Sequence, residues 1–337
     1  MPQPVGLIAQ PPATTRRAAV RRRLPDGALS DIVGQVLSDD GEALVILPND
    51  APAVRILVRD IAARRVVPRR AVRPSSSAQA LERLAAQGWP GTSASRLGGW
   101  LVRTGDGWTS AANSCLVAGD PGLPADQALG VVAAHYVRVG LTPRVQLAHA
   151  VGRPPDEKAA AVEDAAAESG WRPHGPSHVL VADLRRLPES HEQERGCAGR
   201  DGPVDVDWAG DVTPDWARIV RGGEIATDAR ARAVLMSAPA DYLLLRDGSG
   251  APVAAGRLVR NADWVGLSCV DVVPQRRRAG LGRAASRHLL ERARHGGARF
   301  AYLQVKESNR AAFDLYRSLG FVPHHRFHYR ALEAVAR

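Results

Sequence analysis

Cysteine, lysine and aromatic residues are scarce in this chain of 337 residues. The three cysteines, Cys115, Cys197 and Cys269, are odd in number and far apart, which excludes a disulfide framework and a CxxC metal pattern. No apolar run approaches the roughly 18 residues that span a bilayer, and the first residues lack the charged and apolar regions of a signal peptide. We therefore expect a protein of the reducing cytoplasm without membrane contact.

Positive charge is abundant, but it is weak support for nucleic-acid binding. The net charge of +10 comes almost entirely from arginine, because Lys158 and Lys306 are the only lysines. GC-rich coding would produce the same richness in arginine, alanine, glycine and proline without selection on charge. With 45% hydrophobic and 24% charged residues, the composition is typical of a folded globular protein.

Composition divides the chain into five segments. Prolines without apolar periodicity predict a flexible tail over residues 1–17, and short β-rich stretches between turn residues predict a small all-β SH3-like barrel over residues 18–73. A polar stretch without periodicity predicts an interdomain linker over residues 188–203. This linker separates two segments of mixed α/β (α+β) pattern, residues 78–187 and residues 204–337.

The last segment has the clearer pattern. It predicts three consecutive antiparallel strands, the third being Trp264–Val272. A helix from Leu281 to about His295 and the apolar strand Phe300–Val305 then predict a parallel βαβ crossover. A helix over Arg310–Leu319 follows, and Gly320 ends it before a final strand.

The connection between the long strand and its helix, VDVVPQRRRAGLGR at 270–283, predicts an anion site. Its glycines permit a tight turn, and the first amides of a helix lack intrahelical partners and lie at the positive end of the helix dipole. Four arginines favour a phosphate ligand: Arg276, Arg277, Arg278 and Arg283. A lone GxG is weak because glycine often serves only as a turn, and neither a Rossmann fingerprint nor a P-loop is present.

Two motifs about 27 residues apart make the pattern specific: RxxGxG at 277–282, and NxxAxxxY from Asn309 to Tyr316 with Gly320 and Phe321 after it. Together they resemble the GNAT superfamily of acyl-coenzyme-A-dependent N-acetyltransferases over about residues 205–330. The resemblance implies a GNAT fold for the C-terminal segment and acetyl-CoA as the acyl donor.

The resemblance also implies roles for individual residues. Backbone groups of one strand would pair with the pantetheine arm: Val270, Asp271 and Val272. Loop amides would hold the pyrophosphate, with Arg283 beside them: Arg277, Arg278, Ala279, Gly280, Leu281 and Gly282. Asn309 would hydrogen-bond to pantetheine.

Tyr316 is the candidate proton donor to the departing thiolate, the alternative being a core aromatic residue. A tyrosine pKa near about 10 keeps the hydroxyl protonated at neutral pH, and the thiol pKa lies near about 8.5. The acceptor amine must lose a proton before attack, which needs a base or a water chain. Glu307 and Asp271 are candidates, although a solvated carboxylate is the commoner role for either.

The middle segment repeats the element order without the motifs. A predicted strand over Trp108–Ala118 leads to residues 120–124, where a cofactor loop would lie, but RxxGxG is absent there. We expect a degenerate GNAT-like half that has lost the cofactor chemistry. The whole arrangement resembles an actinobacterial acetyltransferase family in which an SH3-like domain precedes two GNAT-like halves.

Two other features leave alternatives open. The histidines near the C-terminus match no familiar zinc spacing, so we expect no metal and a partly exposed sheet face: His324, His325 and His328. In the barrel, a basic stripe could recruit protein or nucleic acid: Arg21, Arg22 and Arg23. No aromatic residue lies in residues 1–73 to provide a stacking platform, which favours a structural cap.

The sequence thus predicts an enzyme that transfers an acetyl group from acetyl-CoA to a primary amine by direct attack in a ternary complex. The alternative is a non-catalytic protein that senses acyl-CoA or binds protein or nucleic acid. A longer acyl thioester as donor also remains open. The acceptor amine, a small molecule or a protein, and the oligomeric state do not follow from these residues.

Overall fold

A computed structural model describes residues 7–9, 16–48, 51–67, 71–152, 157–187 and 204–333. The predicted linker over residues 188–203 and most of the predicted tail lie outside these residues. The described strands form two sheets, one of five strands and one of twelve. None of the described helices is long and apolar enough to cross a membrane.

The smaller sheet is antiparallel and encloses its own core. After a two-residue strand, β1 (Ile8–Ala9), its members are β2 (Arg17–Arg23), β3 (Leu29–Asp39), β4 (Ala43–Pro48), β5 (Val54–Leu57) and β6 (Ile61–Val67). The strand order is β5-β4-β3-β2-β6, and a 3-10 turn precedes β6. The predicted all-β unit is therefore present, and its SH3-like character stays a prediction.

The larger sheet begins in the middle segment. Its elements there are α1 (Ala78–Ala85), β7 (Ser93–Leu97), β8 (Trp100–Thr104), β9 (Cys115–Leu116), α2 (Ala125–Arg138), β10 (Arg144–Ala150), α3 (Glu157–Glu168) and β11 (Arg172–Asp183). Ile8 and Ala9 of β1 pair with β7 at the edge of this sheet. These two residues, which the sequence placed in the predicted tail, therefore belong to the sheet.

The predicted strand over Trp108–Ala118 is wrong except at β9. The Asn113 side chain holds this stretch as a loop, because its Oδ1 accepts from the amides of Gly105 and Gly107 at 2.7 and 2.9 Å. Its Nδ2 donates to the carbonyls of Gly105 and Thr109. These bonds use backbone groups that a strand would need for its ladder.

The C-terminal segment contributes the remaining strands. Its elements are β12 (Asp205–Ala209), α4 (Pro214–Ile219), α5 (Glu224–Thr227), α6 (Ala229–Met236), β13 (Ala240–Arg246), β14 (Pro252–Asn261), β15 (Trp264–Val272), α7 (Leu281–His295), β16 (Phe300–Lys306), α8 (Arg310–Ser318) and β17 (Val322–Ala331). The antiparallel β13-β14-β15 order and the parallel β15–α7–β16 crossover are confirmed. The predicted apolar face of α7 is buried at Leu281, Ala285 and Leu289.

The two segments exchange their last strands. The sheet order is β1-β7-β8-β9-β10-β17-β11-β16-β15-β14-β13-β12. The last strand of the chain, β17, lies between β10 and β11 of the middle segment, and β11 pairs in turn with β16. The sheet is thus continuous through both halves, here meaning residues 78–187 and 204–333, whose boundaries as domains stay a prediction.

Candidate functional site

The parallel strands β15 and β16 diverge in the middle of the large sheet. Their pairing starts at Trp264 with Phe300 and ends at Leu267 with Leu303. Beyond these four pairs, the described residues of β15 have no partner on that side. One edge of β15 is therefore open where the two strands separate.

A bulge in β15 causes the divergence. The register with β14 shifts between Ser268 and Asp271, and Cys269 has a left-handed φ of 53°. A non-glycine residue with positive φ is strained and twists the strand. Past the bulge, Asp271 and Val272 still pair with β14, so only their other edge is free.

The loop after β15 presents amides at the N-terminus of α7. Gly280 is the N-cap with φ 87°, and a Cβ there would meet nothing within 4 Å, so glycine is required by the backbone angle rather than by space. Arg278 also has a positive φ, 66°. Among the residues described, the amides of Arg278, Ala279 and Gly280 have no backbone acceptor. Such a loop can bind an anion.

The arginines of this loop differ in their partners. Arg276 forms an ion pair with Asp247 at 3.2 Å. The Arg277 guanidinium lies 3.7 Å from the Asp271 carboxylate. Arg278 forms no ion pair within the described ranges, so its charge is available to a ligand.

Helix α8 carries the second pair of motif residues. Asn309 is its exposed N-cap, and Oδ1 accepts from the Ala312 amide at 3.1 Å. Tyr316 is 8% exposed and packs edge-on to Phe321 at 5.8 Å. Burial raises the pKa of Tyr316 to about 12, although a hydrogen bond with Ser286 lowers it.

A cavity of about 540 Å³ lies where the two halves meet at the opening. Its walls from the middle half include Trp89, Trp108, Arg144 and His174. Its walls from the C-terminal half include Arg257, Ser268, Cys269, Tyr302, Gln304 and Lys306. Its volume is typical of small-molecule sites, at roughly 300–1,000 Å³. The bulge residues Ser268 and Cys269 connect the cavity with the opening in the sheet.

Glycine is needed at one point of the cavity wall. A Cβ at Gly266 would lie 2.4 Å from the Tyr302 hydroxyl, which is closer than real side chains approach. That hydroxyl accepts a hydrogen bond from Asn261 at 3.2 Å. Burial raises the pKa of Tyr302 well above its usual range, so the cavity meets a neutral phenol there.

Neither carboxylate considered as a base lines the cavity. Glu307 follows the last residue of β16 and forms an ion pair with Arg326 at 3.2 Å. Asp271 accepts from the amide of Arg221 at 2.9 Å. Both carboxylates thus have partners within the protein.

Sequence reasoning did not identify the middle-half residues of the cavity. Arg144 donates from Nε to Nε2 of His174 at 3.2 Å, and burial, followed by the charge of Arg144, lowers the pKa of His174. His174 also stacks on Tyr329, with ring centroids 5.5 Å apart. These residues come from different strands and follow no spacing that a sequence pattern could reveal.

The C-terminal histidines depart from the expectation of one partly exposed sheet face. His325 is fully buried, with Nε2 2.9 Å from Oε1 of Glu82. His328 is half-buried beside His149 and Glu163, and the three offer ligand atoms within 4.8 Å of one another. The exchange of β17 between the halves creates both groupings.

The chain is similar in sequence to proteins named as acetyltransferases. Residues 75–330 match the family model described as "Probable histone acetyltransferase Rv0428c C-terminal". The chain is 29% identical over 342 residues to the "Probable histone acetyltransferase Rv0428c" of Mycobacterium tuberculosis, which covers 96% of this chain and 97% of that protein. It is 25% identical over 255 residues to the "Uncharacterized N-acetyltransferase YobR" of Bacillus subtilis, over 74% of this chain and 96% of that one.

Among solved structures, a GCN5-related N-acetyltransferase from Kribbella flavida has a TM-score of 0.55 at 19% identity, over 77% of this chain and 97% of that one. This likeness confirms the fold class that the motifs implied. The family match covers most of the chain, and the strand divergence and helix N-terminus lie inside it. The chain therefore belongs to the family described as probable histone acetyltransferase Rv0428c C-terminal and is an acyltransferase of the GNAT superfamily.

Proposed function

We propose that the C-terminal half transfers an acetyl group from acetyl-CoA to a primary amine, by direct attack while both are bound. One observation carries the proposal: the divergence of β15 and β16 opens the sheet beside a helix N-terminus with free amides. The cavity adjoins the same opening through Ser268 and Cys269. A thioester in the opening would thus face an acceptor in the cavity.

The residues around the opening fit acetyl-CoA. The free edge of β15 would pair with the pantetheine arm through Val270, Asp271 and Val272. The pyrophosphate would lie on the amides from Arg277 to Gly282, with the charges of Arg278 and Arg283 beside it. The side-chain amide of Asn309 would hydrogen-bond to pantetheine.

The reaction needs one proton removed and one supplied. The amine nitrogen attacks the thioester carbon, the carbon–sulfur bond breaks, and the nitrogen loses its extra proton to water as the amide forms. Tyr316 would donate its proton to the departing thiolate, because its raised pKa keeps the hydroxyl protonated.

Isothermal titration with acetyl-CoA tests the cofactor site. Gly280→Glu places a bulky anion at the N-terminus of α7, and we expect it to weaken binding at least about 100-fold. Gly297→Glu is the matched control: Gly297 has φ 78°, and a Cβ there also meets nothing within 4 Å. It therefore carries similar backbone strain beyond the other end of α7.

Turnover is then measured as thiol release from acetyl-CoA with a panel of primary amines. Binding that Gly280→Glu loses and Gly297→Glu keeps, together with thiol release, supports the proposal. Absence of acetyl-CoA binding to the unaltered chain would overturn it. Binding without thiol release from any amine would favour the alternative of an acyl-CoA sensor.

A further inference from the structure

The proposed acceptor cavity carries charge of one sign. Its walls include four cationic residues and no aspartate or glutamate: Arg144, Arg221, Arg257 and Lys306. Only one of these four positive charges has a carboxylate partner among the described residues. Arg221 forms an ion pair with Glu224 at 3.1 Å, outside the cavity.

The other three cations have no carboxylate partner among the described residues. Arg144 donates to His174 at 3.2 Å and to the carbonyl of Asn113 at 3.5 Å. Burial lowers its pKa. Lys306 is exposed at the end of β16 and forms no ion pair there.

Arg257 is the most unusual of the four because it is fully buried. Its terminal nitrogens donate to the carbonyls of Gly88 and Leu235, and its guanidinium lies over the ring of Trp89 at 4.7 Å. Its Nε has no hydrogen-bond partner in the part of the chain that the structure describes. Carbonyl groups satisfy hydrogen bonds but leave the net charge uncompensated, and an unpaired buried charge is costly.

Among the described residues, the buried carboxylate behind the wall forms no ion pair with these three cations. Glu82 accepts from the wall residue Gln304 and from Gln146 and His325. The cations are also not needed by the cofactor's pyrophosphate. The phosphate loop, residues 273–283, contributes nothing to the cavity walls, and the pantetheine arm is uncharged.

We infer that the acceptor is a small primary amine that also carries an anionic group, a carboxylate or a phosphate ester. The inference rests on the proposed function and adds the chemical class of its substrate. The anionic group would lie against Arg144, Arg257 and Lys306. Trp89 and Trp108 line the same cavity, and their rings would contact an apolar body of the substrate.

The same charges act on the amine. A cationic wall disfavours an ammonium ion and lowers its pKa, which increases the fraction of neutral, nucleophilic amine. This effect partly replaces a general base, because no carboxylate among the described residues lines the cavity. A lysine-rich peptide would instead bring several positive charges into a positive cavity, so we expect it to be a poor acceptor.

Matched pairs of probes test the inference by isothermal titration of the full chain, with and without saturating CoA. Phenylalanine, leucine and glycine are each compared with the corresponding carboxamide, and O-phosphoethanolamine with ethanolamine. We expect the anionic member of at least one pair to bind at least about tenfold more tightly. The comparison with carboxamides tests recognition of a carboxylate, and the comparison with ethanolamine tests recognition of a phosphate ester.

Three variants locate the effect. Arg144→Gln and Lys306→Gln should each reduce the preference for the anionic member severalfold, and exposed Lys306 can be replaced without a core defect. Arg138→Gln is the control, since Arg138 is exposed on α2 and contacts His135 rather than the cavity. It should keep the full preference.

The inference is overturned if no anionic probe binds more tightly than its neutral partner, or if a lysine-rich peptide binds best. It is also overturned if the preference survives both cavity variants. Failure of the proposed function is a different result, because it appears as absent acetyl-CoA binding and thiol release. In that case, the preference for anionic over neutral probes measured without CoA still tests whether the cavity binds an anionic group.

Discussion

The two halves of the large sheet share an element order and differ where a strand meets its helix. In the C-terminal half, β15 and β16 separate and leave the opening. In the middle half, the pairing of β9 with β10 covers Cys115 and Leu116, and the Val117 amide adds one bond to the carbonyl of Gln146 at 3.1 Å. The difference between the halves lies in what occupies the edge beyond this pairing.

Helix α1 covers the same place in the middle half. Arg83 donates to the carbonyl of Ala118 at 2.6 Å, and Gln79 accepts from the amide of Gly119 at 3.1 Å. Backbone groups that a pantetheine arm would use are thus occupied by side chains. The comparison teaches that a strand–loop–helix connection is insufficient for this chemistry and that the backbone edge beside it must also be free.

The largest expected effect comes from removing the strand that the halves exchange. Ending the chain after Gly320 deletes β17, so β10 and β11 each lose a partner. We expect the loss to exceed the total stability of roughly 5–15 kcal/mol and to abolish cooperative thermal unfolding in circular dichroism. Deleting residues 1–70 is the control and should leave the cooperative transition. A truncated chain that melts like the full one would show that the halves are independent.

The next effect concerns a buried residue that joins the halves. Glu82 in α1 is 2% exposed and accepts from Gln146, Gln304 and His325. Glu82→Leu leaves these donors unsatisfied, and we expect a loss of about 3–5 kcal/mol in the free energy of unfolding by denaturant titration. Glu168→Leu, at an exposed position of α3, should change it by no more than about 0.5 kcal/mol. Equal losses in the free energy of unfolding of the two variants would contradict the role of Glu82 in joining the halves.

A smaller effect is expected from replacing a buried tyrosine, and it should differ between the two halves. Tyr316→Phe should lower kcat about 100-fold at unchanged acetyl-CoA affinity, because it removes the proton donor. Burial raises the pKa of Tyr316 to about 12, so its deprotonation should cause no loss of kcat below about pH 10. Tyr136→Phe removes a hydroxyl that donates to the Arg103 carbonyl in the middle half and should leave kcat unchanged. Equal kcat values for Tyr316→Phe and the unaltered chain would exclude the donor role.

The smallest effect is expected in the middle half itself. Gly122 has φ 81° in the loop after β9, where a cofactor loop would lie in an active half. Gly122→Glu should change acetyl-CoA affinity by less than about twofold, with one molecule bound per chain in calorimetry. A stoichiometry of two that this substitution reduces to one would show that both halves bind the cofactor.

Local signals in the sequence were sufficient to predict the helices and the loop of much of the C-terminal half. The periodicity of α7 predicts its bounds, Asn309 caps α8, and Gly320 with φ 94° ends it. Each depends on residues within a few positions of one another. The loop at Arg277–Gly282 is equally local, since its amides and its positive-φ residues belong to one connection.

The exchange of β17 and the walls of the cavity did not follow from such signals. Arg257 and Gly88 are 169 positions apart, and Glu82 and His325 are 243 apart. Strand pairing at these separations depends on which edges remain free after the nearer elements have packed, and a period-2 pattern carries no partner information. The sequence by itself therefore determined the cofactor motifs and their local elements. Only the tertiary structure decided where the halves join and which cations meet in the cavity, because those contacts exist only once the distant strands lie side by side.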